Sequence, residues 1–166
     1  MSSRDLEPTV QQSILDRLLD YAPQLRADPP INWSESVRQL RASVMRDLEW
    51  LLNTRRVLHA APAHLPELRA SVYNFGLPDL SSHSPDSEAT RHLLARQIEE
   101  CINLFEPRLT AVQVTVPESA GGETPHRIRF SVDALLKMEP NPEQVTFDTV
   151  LEVTSGQFQV SGNVHA

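Results

Sequence analysis

From Thr9 to Phe105 the apolar residues recur at three- and four-residue intervals, and from Leu109 onward they alternate with polar ones. The first period is that of a helix with one buried face, the second that of a half-buried strand. A short amphipathic segment over Thr9–Tyr21 places Val10, Ile14 and Leu18 on one face, flanked by Leu15 and Leu19, and Pro23 ends it. Ala22–Ile31 reads as a polar, proline-broken linker. A long helix comes next, with Asn32 or Ser34 as its capping residue and Glu35 in its first turn. Its stripe is Val37, Leu40, Val44, Leu48 and Leu51, with Leu52 at the margin. A third helix is expected over Pro66–Tyr73, ending at Asn74-Phe75-Gly76, where Gly76 suits a left-handed cap. Ser84-Pro85 open a fourth helix with the stripe Leu94, Ile98, Cys101 and Phe105, and Pro107 stops it.

Four strands are then predicted. Leu109–Val116 turns Thr110, Val112, Val114 and Val116 to one face. Arg127–Met138 turns Ile128, Phe130, Val132, Ala134, Leu136 and Met138 inward; Val145–Val153 does so with Val145, Phe147, Thr149, Leu151 and Val153. A short strand, Gln157–Val160, comes last. The links between them, Pro117–Pro125, Glu139-Pro140-Asn141-Pro142 and Ser155-Gly156, are short enough to require antiparallel pairing. Helices first and a strand meander second define an α+β fold, helices packed on a small antiparallel sheet. The division expected is an N-terminal segment and linker over residues 1–31 and one α+β domain over 32–166.

Composition narrows the function classes. A chain of 166 residues with 40% hydrophobic and 22% charged residues supports one sizeable core. A formal charge of −7 argues against a general nucleic-acid binder, which needs a basic surface to displace counterions. One cysteine forms no intrachain disulfide. The opening residues MSSRDLEPTVQQ carry no apolar signal region, and no run approaches a membrane span, so a cytoplasmic protein is expected.

Catalytic signatures are missing from the sequence: no phosphate loop, no paired cysteines, no nucleophile elbow. The six histidines His59, His64, His83, His92, His126 and His165 are scattered, and none completes a four-ligand zinc set. Cys101 lies on an apolar stripe and reads as a buried thiol. A glycosidase needs two carboxylates facing across a cleft; of Asp47, Glu49, Glu99, Glu100 and Glu106, most are explained as solvated helix faces. No cofactor is expected. What remains is interaction chemistry. On the helical wheel Leu48 and Leu51 fall near Val44, whereas Trp50 falls on the far side with Arg46. Large aromatics off a core stripe anchor interfaces, unless another element of the same chain covers them. Asn53, Thr54, Arg55 and Arg56 form the helix exit, where arginines also suit the helix dipole. Glu106-Pro107-Arg108 holds two opposite charges in a fixed relation where the last helix becomes the first strand.

Taken together, SVMRDLEWLLNTRR (Ser43–Arg56), SVYNFGLPDLSS (Ser71–Ser82), FEPRL (Phe105–Leu109) and FDTVLEVTSGQFQV (Phe147–Val160) resemble TssE, the baseplate subunit of the bacterial type VI secretion system. That family is similar to the baseplate-wedge, sheath-initiating protein of contractile phage tails. The likeness extends to SILDRLLD (Ser13–Asp20) and covers nearly the whole chain. It implies a non-enzymatic assembly role on a baseplate at the inner membrane, beside the wedge proteins TssF, TssG and TssK and under a sheath of TssB and TssC. It implies that Glu106, Pro107 and Arg108 contact the wedge. Neither nucleic acid nor membrane insertion is implied. Relatives are sometimes labelled lysozyme-like, so a peptidoglycan hydrolase is one alternative; a regulatory anti-adaptor is another. An edge strand Gln157, Phe158, Gln159, Val160 offers unpaired main chain to an incoming sheath strand, and Trp50 with Asn53–Arg56 is a second expected docking patch.

Overall fold

A computed structural model describes residues 10–20, 23–26, 31–59, 61–62, 64–79, 87–117 and 126–163. The expected 117–125 loop, apart from Pro117, and half of the Ala22–Ile31 linker lie outside these residues, as do Ser84-Pro85. The chain separates into two compact units, Met1–Val44 and Met45–Ala166, with the boundary inside one helix.

In the first unit, helix α1 spans Ile14–Leu18, much shorter than the amphipathic pattern suggests. Ser13 caps it by accepting from the Asp16 amide at 3.2 Å. Ile14 and Leu18 are exposed, so the helix is held by polar contacts rather than by its apolar stripe. Val10 N–H donates to Ser36 Oγ, Gln12 Nε2 donates to the Ser36 carbonyl, and Ser43 Oγ donates to Asp16. Ser36 and Ser43 are buried by these contacts, as buried hydroxyls require. Both lie on α2, Trp33–Asn53. Asn32 is its capping residue: its Oδ1 accepts from the Glu35 amide at 2.8 Å.

The second unit contains the end of α2, then α3 (Pro66–Arg69), a 3₁₀ turn (Val72–Asn74), α4 (Glu88–Phe105) and four strands. The expected third helix breaks at Ala70 and resumes as the 3₁₀ turn, with Ser71 accepting from the Tyr73 amide. α4 begins at Glu88 after the N-cap Ser87. Strands β1 (Leu109–Thr115), β2 (Arg127–Leu136), β3 (Glu143–Glu152) and β4 (Gln157–Asn163) form one antiparallel meander in the order β1-β2-β3-β4. The fold is α+β, as the change of period predicts. β4 runs three residues beyond the expected end at Val160.

The inward residues of β2 and β3 are those predicted, except that Met138 and Val153 lie past the strand ends and are half-buried. β1 departs from the pattern. Leu109 and Val112 are its buried residues, and Thr110 is only half-buried. The register shifts between Thr110 and Gln113, and Ala111 sits at φ 50°. The bulge shifts the phase by one residue, so Leu109 is buried together with Val112, while Val112, Val114 and Val116 keep the expected face. Leu52 is a second departure: it is 1% exposed, a full core residue rather than a marginal one. Ala95 and Ile102 likewise widen the buried face of α4.

Candidate partner-binding site

α2 ends at Asn53 because the chain must turn there into an extended pairing. Leu77 N–H donates to the Thr54 carbonyl and Arg56 N–H to the Leu77 carbonyl, both at 2.9 Å, making a parallel bridge between Arg55 and Leu77. Gly76 makes that approach possible. Its φ is 99°, and a Cβ there would lie 2.3 Å from the Thr54 carbonyl oxygen, so only glycine fits.

The exit residues diverge from this bridge. Thr54 Oγ1 donates to the Trp50 carbonyl at 2.7 Å. Asn53 Nδ2 donates to the Phe158 carbonyl and Asn53 Oδ1 accepts from the Phe158 amide, each at 2.9 Å. Arg55 donates to the Gly156 carbonyl at 3.1 Å and lines a polar cleft with Glu49, Asn53, Ser155, Gln157 and Gln159. Arg56 instead lines a separate cleft with Arg69, Gln97, Cys101 and Phe105. The arginine pair is therefore two features, not one patch. Burial pushes the Cys101 thiol up to about 11 despite the Gly76 backbone and the Arg56 charge, which act the other way.

Trp50 is 58% exposed, and the Arg46 guanidinium lies 5.5 Å from the centre of its ring, within cation–π range. Arg46 Nε and Nη2 donate to Asp47 Oδ1 at 3.0 and 2.9 Å, and Asp47 Oδ2 accepts from Arg108 Nη2 at 2.7 Å. Arg108 in turn wraps Glu106: Nε donates to Oε1 at 2.6 Å, the Arg108 amide to Oε1 at 3.2 Å, and Nη2 to Oε2. A continuous chain of contacts thus runs Trp50–Arg46–Asp47–Arg108–Glu106, bringing the tryptophan face of α2 beside the α4–β1 corner. Lys137, just past the end of β2, secures the corner: its amide donates to the Arg108 carbonyl and its Nζ to the Pro107 carbonyl, both at 2.8 Å.

This geometry alters the expected roles. Glu106 is only 5% exposed and faces Arg108, so Pro107, which is exposed, and the half-buried Arg108 make the outer surface of the motif. Burial opposes the Arg108 charge, but hydrogen bonds and charge from Glu106, then Asp47, outweigh it and hold the guanidinium above the usual arginine value. Asp47 and Arg46 join the site although neither is among the expected binding residues. Arg46 carries a signal, its four-residue spacing from Trp50. Asp47 carries none, because its partner is 61 positions away.

Three of the five carboxylates considered for hydrolysis have structural partners: Glu106 and Asp47 in the network, and Glu99, which accepts from the Val114 amide at 3.0 Å. Among the described residues, no three His, Cys, Asp or Glu side chains converge as a metal-holding group, and no helix is long and apolar enough to cross a membrane.

The site is thus an ionic corner beside an exposed aromatic on a small α+β domain. Residues 38–141 match the baseplate wedge protein gp25 family, and the chain belongs to that family. It is also similar to anti-adapter protein IraD of Escherichia coli K12 and of Shigella flexneri, 32% identical over 111 residues, which cover 67% of this chain and 73% of each relative. The E. coli O139:H28 protein of the same name matches to the same extent. The family and these relatives point to a structural or regulatory role rather than an enzymatic one.

Proposed function

We propose that this chain is the TssE subunit of a type VI secretion baseplate, joining the wedge proteins TssF, TssG and TssK to the sheath and templating the first ring of TssB and TssC. Membership in the gp25 family supports a baseplate role. The observation that carries the site is the Trp50–Arg46–Asp47–Arg108–Glu106 chain of contacts. It joins Trp50 to the Glu106–Arg108 corner, with Trp50 and Pro107 as the outward parts. A charged network fixed on both sides discriminates strongly between partners, while an exposed tryptophan supplies contact area. The open edge of β4 supports the second half of the role, because an outer strand accepts another strand by main-chain pairing.

The test uses cells with fluorescent sheath. Trp50→Ala and Arg108→Lys should prevent sheath assembly and secretion while the purified variants remain folded; lysine keeps the charge but not the two-pronged fit around Glu106. Normal sheath assembly by both folded variants would sink this assignment. The 32% identity to anti-adapter protein IraD favours one further reading, regulatory binding of an adaptor. Recovery of an adaptor or response regulator in place of wedge proteins in a pull-down would replace the baseplate role with that one.

A further inference from the structure

Asn53 occupies the place of a neighbouring strand. Its side-chain amide makes both bonds to Phe158 that a fifth strand would make, donating to the carbonyl and accepting from the amide. Phe158 stands opposite Leu151 in the β3–β4 register but directs its main chain outward to Asn53. Antiparallel residues alternate between inward- and outward-bonding positions. Gln157, Gln159 and Ser161 therefore bond to β3, whereas Val160 and Gly162 turn their amides and carbonyls out, as Phe158 does. Among the described residues no side chain is bonded to the outward groups of Val160 or Gly162, in contrast to Phe158.

The other edge is closed differently. On β1 the Glu99 carboxylate takes the Val114 amide, and the bulge at Ala111 breaks the ladder. Bulges and side-chain plugs are the usual means of blocking edge pairing. β4 is regular over Gln157–Asn163, so it keeps a short usable stretch beyond the plug. The exposed residues flanking that stretch, Gln159 and Ser161, are polar, and Gly162 has no side chain to hinder an approaching backbone.

We propose that Asn53 sets the register of strand addition: an extended strand of a sheath subunit pairs with Val160 and Gly162 and stops at Asn53, which keeps Phe158 closed. This rests on the sheath-templating reading above. One pairing register then aligns the first sheath ring with the baseplate, where a longer open edge would admit several registers.

Residue-resolved hydrogen exchange on the full chain tests both parts. In the free protein the Phe158 amide should exchange about tenfold slower than that of Val160, the effect of one hydrogen bond worth about 1.4 kcal/mol, and Asn53→Ala should abolish the difference. Adding purified TssB–TssC should slow Val160 and Gly162, and in Asn53→Ala the slowed stretch should extend to Phe158. Unchanged Phe158 exchange in free Asn53→Ala would overturn the plug, and a slowed stretch that fails to extend would overturn the stop. If Val160 and Gly162 stay fast with TssB–TssC while the plug result holds, the sheath reading is what fails. If they slow with rising concentration of the chain alone, the occupant is a second copy. Gly162→Pro gives a measurement independent of how Asn53→Ala folds. An added Cβ there lies 3.7 Å from the Met45 sulfur, an ordinary contact, and proline is tolerated where the amide faces off an edge. It should keep the melting temperature and abolish TssB–TssC binding; retained binding would overturn the proposal.

Discussion

Gly76 and Thr149 show how single positions act in opposite directions. At Gly76 an alanine would meet the Thr54 backbone and hold a left-handed φ, so Gly76→Ala should lose at least about 2 kcal/mol. A thermal melt should show a fall of roughly 4–8 °C, at about 2–4 °C per kcal/mol for a chain of this size. Thr149 is buried within β3, and its hydroxyl has no hydrogen-bond partner among the described residues. Thr149→Val removes an unsatisfied group at nearly constant shape and should gain about 1 kcal/mol, a rise of roughly 2–4 °C. Cys101 belongs at the same scale. Its folded value of about 11 lies above the ordinary 9.0. Stability from keeping the thiol neutral is therefore fully present below pH 9 and is lost as the pH rises through 11. The stability advantage of wild type over Cys101→Ala should narrow across that window in urea titrations, and a thiol reagent at pH 8 should label Cys101 only as fast as the chain opens. Gly76 is legible in the sequence as a helix-stop glycine, but its close approach to Thr54 is not, since 22 residues separate the two.

At the scale of elements, α2 carries both core and surface chemistry on one cylinder. Trp50 is off the buried stripe, so Trp50→Ala should move the melting temperature by no more than about 1 °C, as surface substitutions do, while weakening capture of TssF–TssG in a pull-down. A fall of several degrees would show that the ring is needed for folding. Helical spacing identifies the stripe because the period of the helix determines which side chains share a face. It places Leu52 at the margin because a wheel records angles but not the width of the layer that packs there. β1 departs from its alternation at Leu109 for a related reason. Alternation assumes a regular ladder, and one residue at φ 50° resets it. Nothing about an alanine announces that conformation, whereas the paired registers of β2 and β3 match their alternation closely.

At the scale of the molecule, the ionic corner links α2, the end of α4 and the start of β1. Breaking a buried pair leaves an uncompensated charge, so Arg108→Ala should cost about 3 kcal/mol. Glu106→Gln combined with Arg108→Ala should cost clearly less than the sum of the two single changes, because the second change removes the charge that the first one strands. Chemical denaturation of the two single variants and the double variant gives the coupling directly; strict additivity would mean that the two side chains act independently. The guanidinium is held above its usual value, so its own ionisation leaves the corner intact across the ordinary pH range.

Periodicity, proline and glycine determined what is local in this protein: the helical first part, the strand meander, the turns between them and the residues that could not be core. These depend on spacings of a few residues, which a sequence states openly. The family resemblance rested on longer segments, and the gp25 match agrees with it at the coarser level. Only the tertiary structure decided that Glu106 turns inward, that Arg55 and Arg56 part company, that Asp47 joins Arg46 to Arg108 and that Asn53 closes part of the β4 edge. Each of these depends on two side chains far apart in the chain meeting at hydrogen-bond distance. That meeting is set by how the helices lie on the sheet, and no local pattern encodes it.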